Sequence, residues 1–511
     1  MTKPLLPIRL KNPGNRGLNL DQRSIVESPD WATKLLNCVL DTSRRIAARK
    51  GWAMLTSTGN HSQDTLALGE YVESSTETHI ISAANNKIYS GTTTLVDESN
   101  PVGGLTTPTA DDWLFLNFNG ACIGIQQGHI PITMTGDGTD FQDVTGLSSG
   151  EPTGNAGVAT HGRLFVSDST AQVIHWCQLL DQNDWTTASD AGVLGLQNVW
   201  PTGLDEIVSI QSWENHLVVF GSQSVLLFTG LEDPTTNLAL AGTKSTTGID
   251  GYLTGDGAVS RDAVVSIGTD LIYLSRSGLR ALSRGLQFST LPMTSIAPQV
   301  RDQLITDVDT AITAGETIKM VYHRAINAIL AKIGTAYWYF DVRNINQVFA
   351  SQWSGIGWKA AVSSQGVLYL GQNDGVASYS TYLDNASTYP WEFQTGWLPL
   401  GQGGQKFVPK QMDLYVQAGA NYALAATWTM DLGTTVSSTD SQSVMGITAS
   451  QWGTAHWGTG HWGDSNQLTK IKYDMSLDGE TMQLNFKTSI NAGSFALQQI
   501  HLYGKYGRVA R

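Results

Sequence analysis

The segment 451–464 contains the residues with the clearest capacity for chemistry. Its tryptophans recur every five residues, and a histidine directly precedes the second and the third. These residues are Trp452, His456, Trp457, His461 and Trp462, with Asp464 just beyond. Zinc sites need three or four ligands within fixed reach, and no cysteine or further histidine lies nearby. The pattern therefore predicts a loop of packed tryptophan rings that contacts a partner, rather than a metal site.

Other candidate motifs are incomplete. Gly136–Asp143 resembles a calcium loop but lacks the spaced carboxylates and closing glutamate of that motif. The carboxylate pairs Asp111-Asp112 and Glu232-Asp233 fall on turns, where solvation is the ordinary reason for them. Phosphate-binding loops, nucleophile elbows and His-Glu-x-x-His motifs do not occur. We predict no catalytic residue, no metal and no cofactor. A propeller-type carbohydrate-binding or polysaccharide-degrading adhesion protein, with the tryptophan repeat as its platform, stays open as an alternative.

Charge is distributed unevenly along the 511 residues. The net charge is −13, yet residues 1–50 hold ten Lys or Arg against four Asp or Glu, a net +6, which leaves −19 for the rest. A basic segment on an acidic chain can be an arm that meets a charged partner, or simply a solvated tail. The candidate contacts in the predicted arm, residues 1–30, are Arg9, Lys11, Arg16 and Arg23.

A recurring hairpin organises the middle of the chain. Ser212–Gly230 contains two short apolar runs around a Gly-Ser-Gln-Ser turn, which predicts two antiparallel strands covered on both faces. Similar copies align on Ile88, Cys122, Leu164, Leu217, Leu271, Ile329 and Leu368. Their intervals of 34, 42, 53, 54, 58 and 39 residues are typical of four-stranded blades. We therefore predict an all-β chain with a β-propeller of about seven blades, six to eight allowed, over residues 31–390. Unrelated hairpins in two β-sandwiches would be the alternative.

Two further elements complete the predicted architecture. Within Ser295–Ala314, apolar residues recur every fourth position, from Ile296 to Ile312, which predicts one amphipathic helix. After residue 390 the strands alternate between apolar and polar positions, which predicts a β-sandwich over residues 391–511. No apolar run has the length of a signal peptide or a membrane span, so we expect synthesis in a cytosol.

The start of the chain resembles a known family. The matching residues are Gly17-Leu18-Asn19, Leu35, Asn37, Asp41 and Arg49-Lys50-Gly51. This pattern is similar to the nozzle proteins of short-tailed phages, which include tail tubular protein B and packaged-DNA stabilisation proteins, although their usual Arg-Pro-Gly ending is absent. The resemblance implies a propeller body in a ring of six copies and a structural place in the virion, assembled in the host cytoplasm. It also implies contacts with portal-adaptor proteins and with tail fibre, spike or needle proteins, and DNA passing through the lumen.

Overall fold

A computed structural model describes most of the chain. The described residues are 5–21, 28–73, 77–99, 105–136, 140–144, 152–186, 190–201, 203–241, 251–283, 295–401, 405–433, 438–445 and 468–509. Apart from two α-helices, α1 (Pro234–Asn237) and α2 (Arg301–Ala314), and two 3₁₀ turns, Arg261–Ala263 and Pro298–Val300, the regular elements in these ranges are strands. No helix in the described ranges is long and apolar enough to cross a membrane.

The strands are numbered in chain order. They are β1 (Leu6–Lys11), β2 (Gly17–Leu18), β3 (Trp31–Leu36), β4 (Cys38–Leu40), β5 (Ile46–Ala48), β6 (Trp52–Met54), β7 (Ala67–Val72), β8 (Thr78–Ala84), β9 (Lys87–Ser90), β10 (Val96–Asp97), β11 (Leu114–Phe118), β12 (Ala121–Ile125), β13 (Ile132–Met134), β14 (Gln142–Asp143), β15 (Gly157–Thr160), β16 (Arg163–Ser167), β17 (Val173–Trp176), β18 (Gly192–Gly195), β19 (Ser209–Trp213), β20 (His216–Phe220), β21 (Ser224–Thr229), β22 (Ala239–Leu240), β23 (Tyr252–Thr254), β24 (Val264–Ser266), β25 (Leu271–Ser275), β26 (Gly278–Ala281), β27 (Ile318–His323), β28 (Ala328–Ile333), β29 (Ala336–Asp341), β30 (Phe349–Trp353), β31 (Ala360–Ser364), β32 (Val367–Gln372), β33 (Gly375–Tyr379), β34 (Tyr389–Thr395), β35 (Leu398–Pro399), β36 (Gln405–Ala418), β37 (Tyr422–Met430), β38 (Ser438–Val444), β39 (Leu468–Asp474), β40 (Thr481–Ile490) and β41 (Phe495–Val509).

The chain divides into two compact units. The propeller unit comprises Met54–Thr335 and Gly357–Tyr379, and the sandwich unit comprises Met1–Ala53, Ala336–Ile356 and Ser380–Arg511. These bounds differ from the predicted ones, because residues 31–53, 336–356 and 380–390 belong to the sandwich unit. The predicted boundary near residue 390 follows the change in strand pattern, but three separate segments build one unit.

Seven antiparallel groups make up the described part of the propeller unit. They are β7–β10, β11–β14, β15–β18, β19–β23, β24–β26, β27–β28 and β31–β33. The first strands of successive groups are neighbours, except that β19 contacts the 3₁₀ turn Arg261–Ala263 that leads into β24. Strand β31 lies beside β7, so the ring closes. At the start of the unit, the Leu55 N–H donates to the Val376 carbonyl of the last group at 2.9 Å. The predicted β-propeller of about seven blades is confirmed.

The propeller core lies between neighbouring blades. Phe165 and Trp176 of the third blade pack with Leu217, Val219 and Leu226 of the fourth. Every residue from Leu217 to Phe220 and from Ser224 to Phe228 is buried, as the uninterrupted apolar runs predict for strands covered on both faces.

One member of the predicted hairpin alignment is displaced. Cys122, Leu164, Leu217, Leu271, Ile329 and Leu368 all lie on the second strand of their blade, whereas Ile88 lies on β9, the third strand of the first. The second strand there is β8, which is equally apolar but lacks the Gly-bounded turn that marks the other copies. The short first interval of 34 residues comes from this displacement.

The predicted helix is present, with one of its apolar positions misassigned. Helix α2 follows a 3₁₀ turn and buries Leu304, Val308 and Ala311, while Ile312 is 36% exposed. A residue repeated every four positions advances by about 40° beyond a full turn at each step. Between Leu304 and Ile312 the rotation is therefore about 80°, which takes Ile312 off the buried face, and Ala311 lies there instead.

The sandwich unit contains two facing sheets. The first has the strand order β39-β36-β41-β5-β4, with β1 also paired to β41. Within this unit the second runs β29-β30-β3-β34-β40-β37-β38, with β2 on β3 and β35 on β40. The Trp391 and Phe495 rings meet between the sheets at 4.8 Å, edge to face. The Tyr473 hydroxyl donates across to the Leu424 carbonyl at 2.8 Å. The predicted sandwich is confirmed as a fold.

The predicted N-terminal arm is part of this sandwich. Strand β1 pairs with β41 over all six of its residues, from Leu6↔Gly504 to Lys11↔Gln499. Leu10 and Leu18 are buried. The expectation that residues 1–30 order mainly against a partner is therefore wrong for β1 and β2. Proline is tolerated at a sheet edge, so the prolines there do not exclude a strand.

Candidate functional site

The residues that resemble the phage family lie in and around the hairpin β4–β5 of the sandwich unit. Asp41 closes its turn, since Oδ1 accepts from the Ser43 N–H at 2.8 Å and the Arg45 N–H at 2.9 Å. The Arg45 guanidinium then pairs with Asp41 Oδ2 at 2.6 Å. The side chain of Asp41 thus shapes the turn, as Asp at a turn commonly does.

Arg49 extends from the end of this hairpin into the interior of the unit, where its side chain is fully buried. Its Nη1 and Nη2 donate to Asp384 Oδ1 at 2.8 Å and Oδ2 at 2.6 Å, a bidentate ion pair. Nη1 also donates to the Lys50 carbonyl at 2.8 Å, and Nη2 donates to the Ser354 carbonyl at 2.6 Å. Buried guanidinium groups need such full pairing, because an unpaired buried charge is costly.

Asn37 completes the network from the preceding strand. Its Oδ1 accepts from Arg49 Nε at 2.9 Å and from the Ser354 N–H at 2.8 Å. Its Nδ2 donates to the Pro390 carbonyl at 2.7 Å. The Tyr389 hydroxyl donates to the Arg49 carbonyl, and the Tyr389 ring lies 4.2 Å from the guanidinium carbon. We call this set, with Asp384, the Arg49 joint; it connects all three segments of the sandwich unit.

Gly51 is required by the closeness of the opposing backbone. Its N–H donates to the Thr381 carbonyl at 2.5 Å, and a Cβ at this position would overlap the carbonyl group of Leu383. A side chain here therefore forces the segment around Leu383 away from β5. The glycine of the family pattern is a packing requirement of the joint.

We expect Gly51→Ala to destabilise the sandwich unit by about 1–3 kcal/mol, because overpacking against backbone cannot be relieved by a rotamer change. Gly195→Ala is the matched control, since an added Cβ there meets no atom within 4 Å. Urea denaturation followed by circular dichroism measures both. Equal midpoints for the two variants would contradict the packing argument.

The structure separates the predicted partner contacts into two groups. Asn37, Arg49 and Gly51 were predicted to contact a partner. They are buried inside the sandwich unit instead, where they have a structural role. Arg9, Lys11, Arg16 and Lys50 are exposed, and Asp41 is half-buried. Arg16 lies 3.7 Å from Asp30 and beside the Trp31 ring. The remaining predicted contacts lie outside the described residues, and these are Arg23, Trp452, His456, Trp457, His461 and Trp462.

A second charged network, which the sequence does not reveal, lies at the centre of the propeller unit. Arg261 Nε and Nη2 donate to the two oxygens of Asp262 at 2.7 and 3.0 Å, and Nη2 also reaches Asp112 Oδ1 at 3.1 Å. Lys319 Nζ contacts the same Asp112 oxygen at 2.7 Å and Asp262 Oδ2 at 3.2 Å. We call these four residues the axial ion cluster. They come from three different blades.

Burial and charge act in opposite directions on this cluster. Burial alone would raise the pKa of Asp262, but Arg261 and Lys319 outweigh it and hold that pKa well below its usual range. Burial likewise disfavours the charged form of Arg261, and Asp262 with Asp112 more than compensates and raises its pKa. Asp262 and Arg261 therefore both carry their charges near pH 7.

The axial ion cluster borders two cavities of the propeller unit. A cavity of about 200 Å³ is lined by Trp113, Phe115 and Trp358, and a wider one of about 550 Å³ opens among Asp112, Glu206 and Glu316. Arg261, Asp262 and Lys319 line both. The cluster thus lies where the two cavities adjoin.

The wider cavity is lined mainly by charged and polar side chains. Among the described residues, its lining contains the carboxylates of Asp112, Glu206, Asp262 and Glu316 and no aromatic side chain. A glycosidase site needs two carboxyl groups with distinct protonation and, for sugar binding, aromatic platforms. Asp112 and Asp262 are held in ion pairs, which favours a structural role for these two carboxylates over general acid–base chemistry.

One group of possible metal ligands occurs in the described ranges. Glu73, Glu77 and His79, where β7 ends and β8 begins, offer ligand atoms within 4.8 Å of one another. Three such groups are candidates for binding one metal ion, although exposed acidic groups often cluster without one. The sequence predicts no metal, and its own candidate, His456 with His461, lies outside the described residues.

Comparisons with known proteins give likeness of fold only. No protein-family model matches the chain, and no curated protein does. The computationally designed Ika8 protein is similar at 11% identity and TM-score 0.34, over 65% of this chain and 99% of its own. The extracellular domain of a putative hybrid two-component system from B. thetaiotaomicron is similar at 9% identity and TM-score 0.39; the match covers 64% of this chain and 41% of that one. YCF48 from Cyanidioschyzon merolae is similar at 12% identity and TM-score 0.34; the match covers 64% of this chain and 98% of that one. At these values none carries a conclusion about function.

Proposed function

We propose that this chain is a structural, non-enzymatic component of a short phage tail. In this role it forms the nozzle ring that closes the head–tail channel, retains the packaged DNA and conducts it at ejection. Its partners would be further copies of itself, portal-adaptor proteins and tail fibre, spike or needle proteins. The protein would be assembled in the host cytoplasm and become part of the virion.

The Arg49 joint is the observation that carries this proposal. Asn37, Arg49 and Gly51 belong to the pattern that resembles the nozzle family, and in the fold they meet around Asp384. The joint gives these three residues of the pattern one shared structural role. Asp384 itself is not part of the sequence pattern.

Charge supports the proposed path for DNA. Each Lys or Arg contact with a phosphate adds affinity through counterion release, so a basic channel would slow ejection. Outside residues 1–50 the chain carries a net −19. Heterologous contacts between identical copies close into rings when the rotation permits. We propose a sixfold ring with a mostly acidic lumen, along which duplex DNA slides.

We expect negative-stain images of the purified protein, or of virions labelled with an antibody against it, to show sixfold rings at the tail. Duplex DNA should bind the isolated protein only weakly at low salt. A chain that stays monomeric in the presence of portal-adaptor proteins and is absent from virions would contradict the proposal. Tight DNA binding that weakens steeply with salt would contradict the acidic lumen.

A further inference from the structure

The outer face of the first sheet of the sandwich unit presents three aligned rows of side chains across strands β1, β41, β36 and β39. The buried residues Leu10, Leu502 and Leu414 point into the sandwich, so their neighbours in sequence point outward. The rows are Lys11–Gln499–Tyr415–Lys470, Arg9–His501–Asp413–Lys472 and Pro7–Tyr503–Gln411–Asp474. We call this surface the tyrosine face.

Aromatic rings form a continuous ridge at its centre. The ring centroids of Tyr415 and His501 are 4.8 Å apart, and those of His501 and Tyr503 are 6.5 Å apart. Both tyrosines are half-buried, and His501 between them is 9% exposed. Burial, together with the neighbouring Arg9, lowers the pKa of His501, so its ring is neutral near pH 7. The ridge is longer than one sugar ring and joins two neighbouring strands, as a platform for an extended chain requires.

The margins of the tyrosine face are basic. Its three rows contain four basic side chains, Arg9, Lys11, Lys470 and Lys472, against two acidic ones, Asp413 and Asp474. The local net charge is +2, on a protein whose total is −13. A basic face on an acidic molecule is complementary to an anionic ligand and raises its rate of encounter.

Hydrogen-bond acceptors and amides lie between the rings and the margins. The Asp413 side chain is only 1% exposed, receives a hydrogen bond from Gln411 Nε2 at 2.6 Å and holds Lys470 Nζ at 2.7 Å. The negative charge of Asp413 disfavours a phosphate backbone nearby, and the half-buried amides of Gln411 and Gln499 can form hydrogen bonds with hydroxyl groups. These groups favour a hydroxyl-rich ligand over a nucleic acid, which would otherwise suit a basic aromatic surface.

We propose that the tyrosine face binds a polysaccharide that contains carboxylate-bearing sugars. Sugar rings stack on Tyr415 and Tyr503, their hydroxyl groups meet the amides of Gln411 and Gln499, and their carboxylates pair with Arg9 and Lys11. This binding does not depend on ring assembly, so it adds a surface-attachment role to the structural role proposed above.

Biolayer interferometry with the full chain tests the proposal. The three ligands are polygalacturonate, dextran as a neutral polysaccharide, and single-stranded oligothymidylate. We expect binding to polygalacturonate alone, weakened by salt. Tyr415→Ala with Tyr503→Ala should reduce it at least about tenfold, equivalent to about 1.4 kcal/mol. Arg9→Gln with Lys11→Gln should reduce it and flatten its salt dependence. Tyr252→Ala is the control, because this exposed tyrosine lies in the propeller unit.

Urea midpoints within error of the wild-type value establish that each variant is folded. Failure to bind polygalacturonate overturns the proposal, as does equal binding of dextran. Preference for oligothymidylate would assign the face to nucleic acid instead. Because imaging of tails reports assembly and interferometry reports ligand binding, failure of one proposal is distinguishable from failure of the other.

Discussion

Replacing Arg49 with leucine should destabilise the sandwich unit by about 3–5 kcal/mol, the usual cost of removing one partner from a buried ion pair. The substitution leaves the Asp384 carboxylate, 8% exposed, without its bidentate donor. It also removes the donors to the carbonyls of Lys50 and Ser354. A loss of this size is a large fraction of a domain's total stability. Urea denaturation, followed by tryptophan fluorescence, measures it.

Two variants make the Arg49 experiment specific. Arg16→Leu removes an exposed arginine 3.7 Å from Asp30 in the same unit, and a surface pair of this kind contributes about 0–1 kcal/mol. The double variant Arg49→Met with Asp384→Leu removes both charges together, so it should be more stable than Arg49→Leu alone. If Arg49→Leu and Arg16→Leu shifted the midpoint equally, the Arg49 joint would not be the anchor described here.

Replacing Asp262 with alanine should destabilise the propeller unit by a similar amount, about 3–5 kcal/mol. Arg261 and Lys319 would then share the single, half-exposed carboxylate of Asp112. Two cations close together with one partner repel each other and lose hydrogen bonds at the same time. Asp97→Ala is the matched control, because Asp97 forms an exposed pair with Lys87 in the same unit.

Acid unfolding gives an independent test of the axial ion cluster. The pKa of Asp262 is lower in the folded chain than in the unfolded one, so its contribution to stability is complete above the ordinary aspartate pKa of about 3.9. Below that pH the unfolded chain takes up a proton that the folded chain does not, and the contribution is lost as the pH falls toward the folded pKa. We expect Asp262→Ala to flatten stability against pH in this acid range. An unchanged slope would contradict the assignment.

The repeated hairpins made the propeller predictable because a blade strand is short, apolar on both faces and bounded by turn residues. The same local signal misplaced Ile88, since two neighbouring strands of one blade look alike when the turn between them lacks glycine. Helix α2 was predictable from its period, but the spacing of four exceeds 3.6 residues per turn. For that reason Ile312 was expected on the buried face, and Ala311 is found there.

The charged networks could not be predicted from sequence because their members are distant along the chain. Asp384 is 335 residues from Arg49, and the four residues of the axial ion cluster extend from Asp112 to Lys319. No local period or motif links such residues; only the folding of each unit brings them together. Asp112 was visible as a turn carboxylate, for which solvation was the ordinary explanation, and its partners change that interpretation.

The pairing of β1 with β41 has a consequence for synthesis on the ribosome. Strand β1 ends at Lys11 and its partner β41 begins at Phe495. At a translation rate of ~5–20 residues per second, β1 is without its partner for on the order of a minute. The blades between them can close during that time. The sandwich unit cannot, because β41 is the last of its strands to be synthesised. Chains that terminate before Phe495 therefore lack a finished sandwich unit, so a contact made through that unit would exclude them from an assembly.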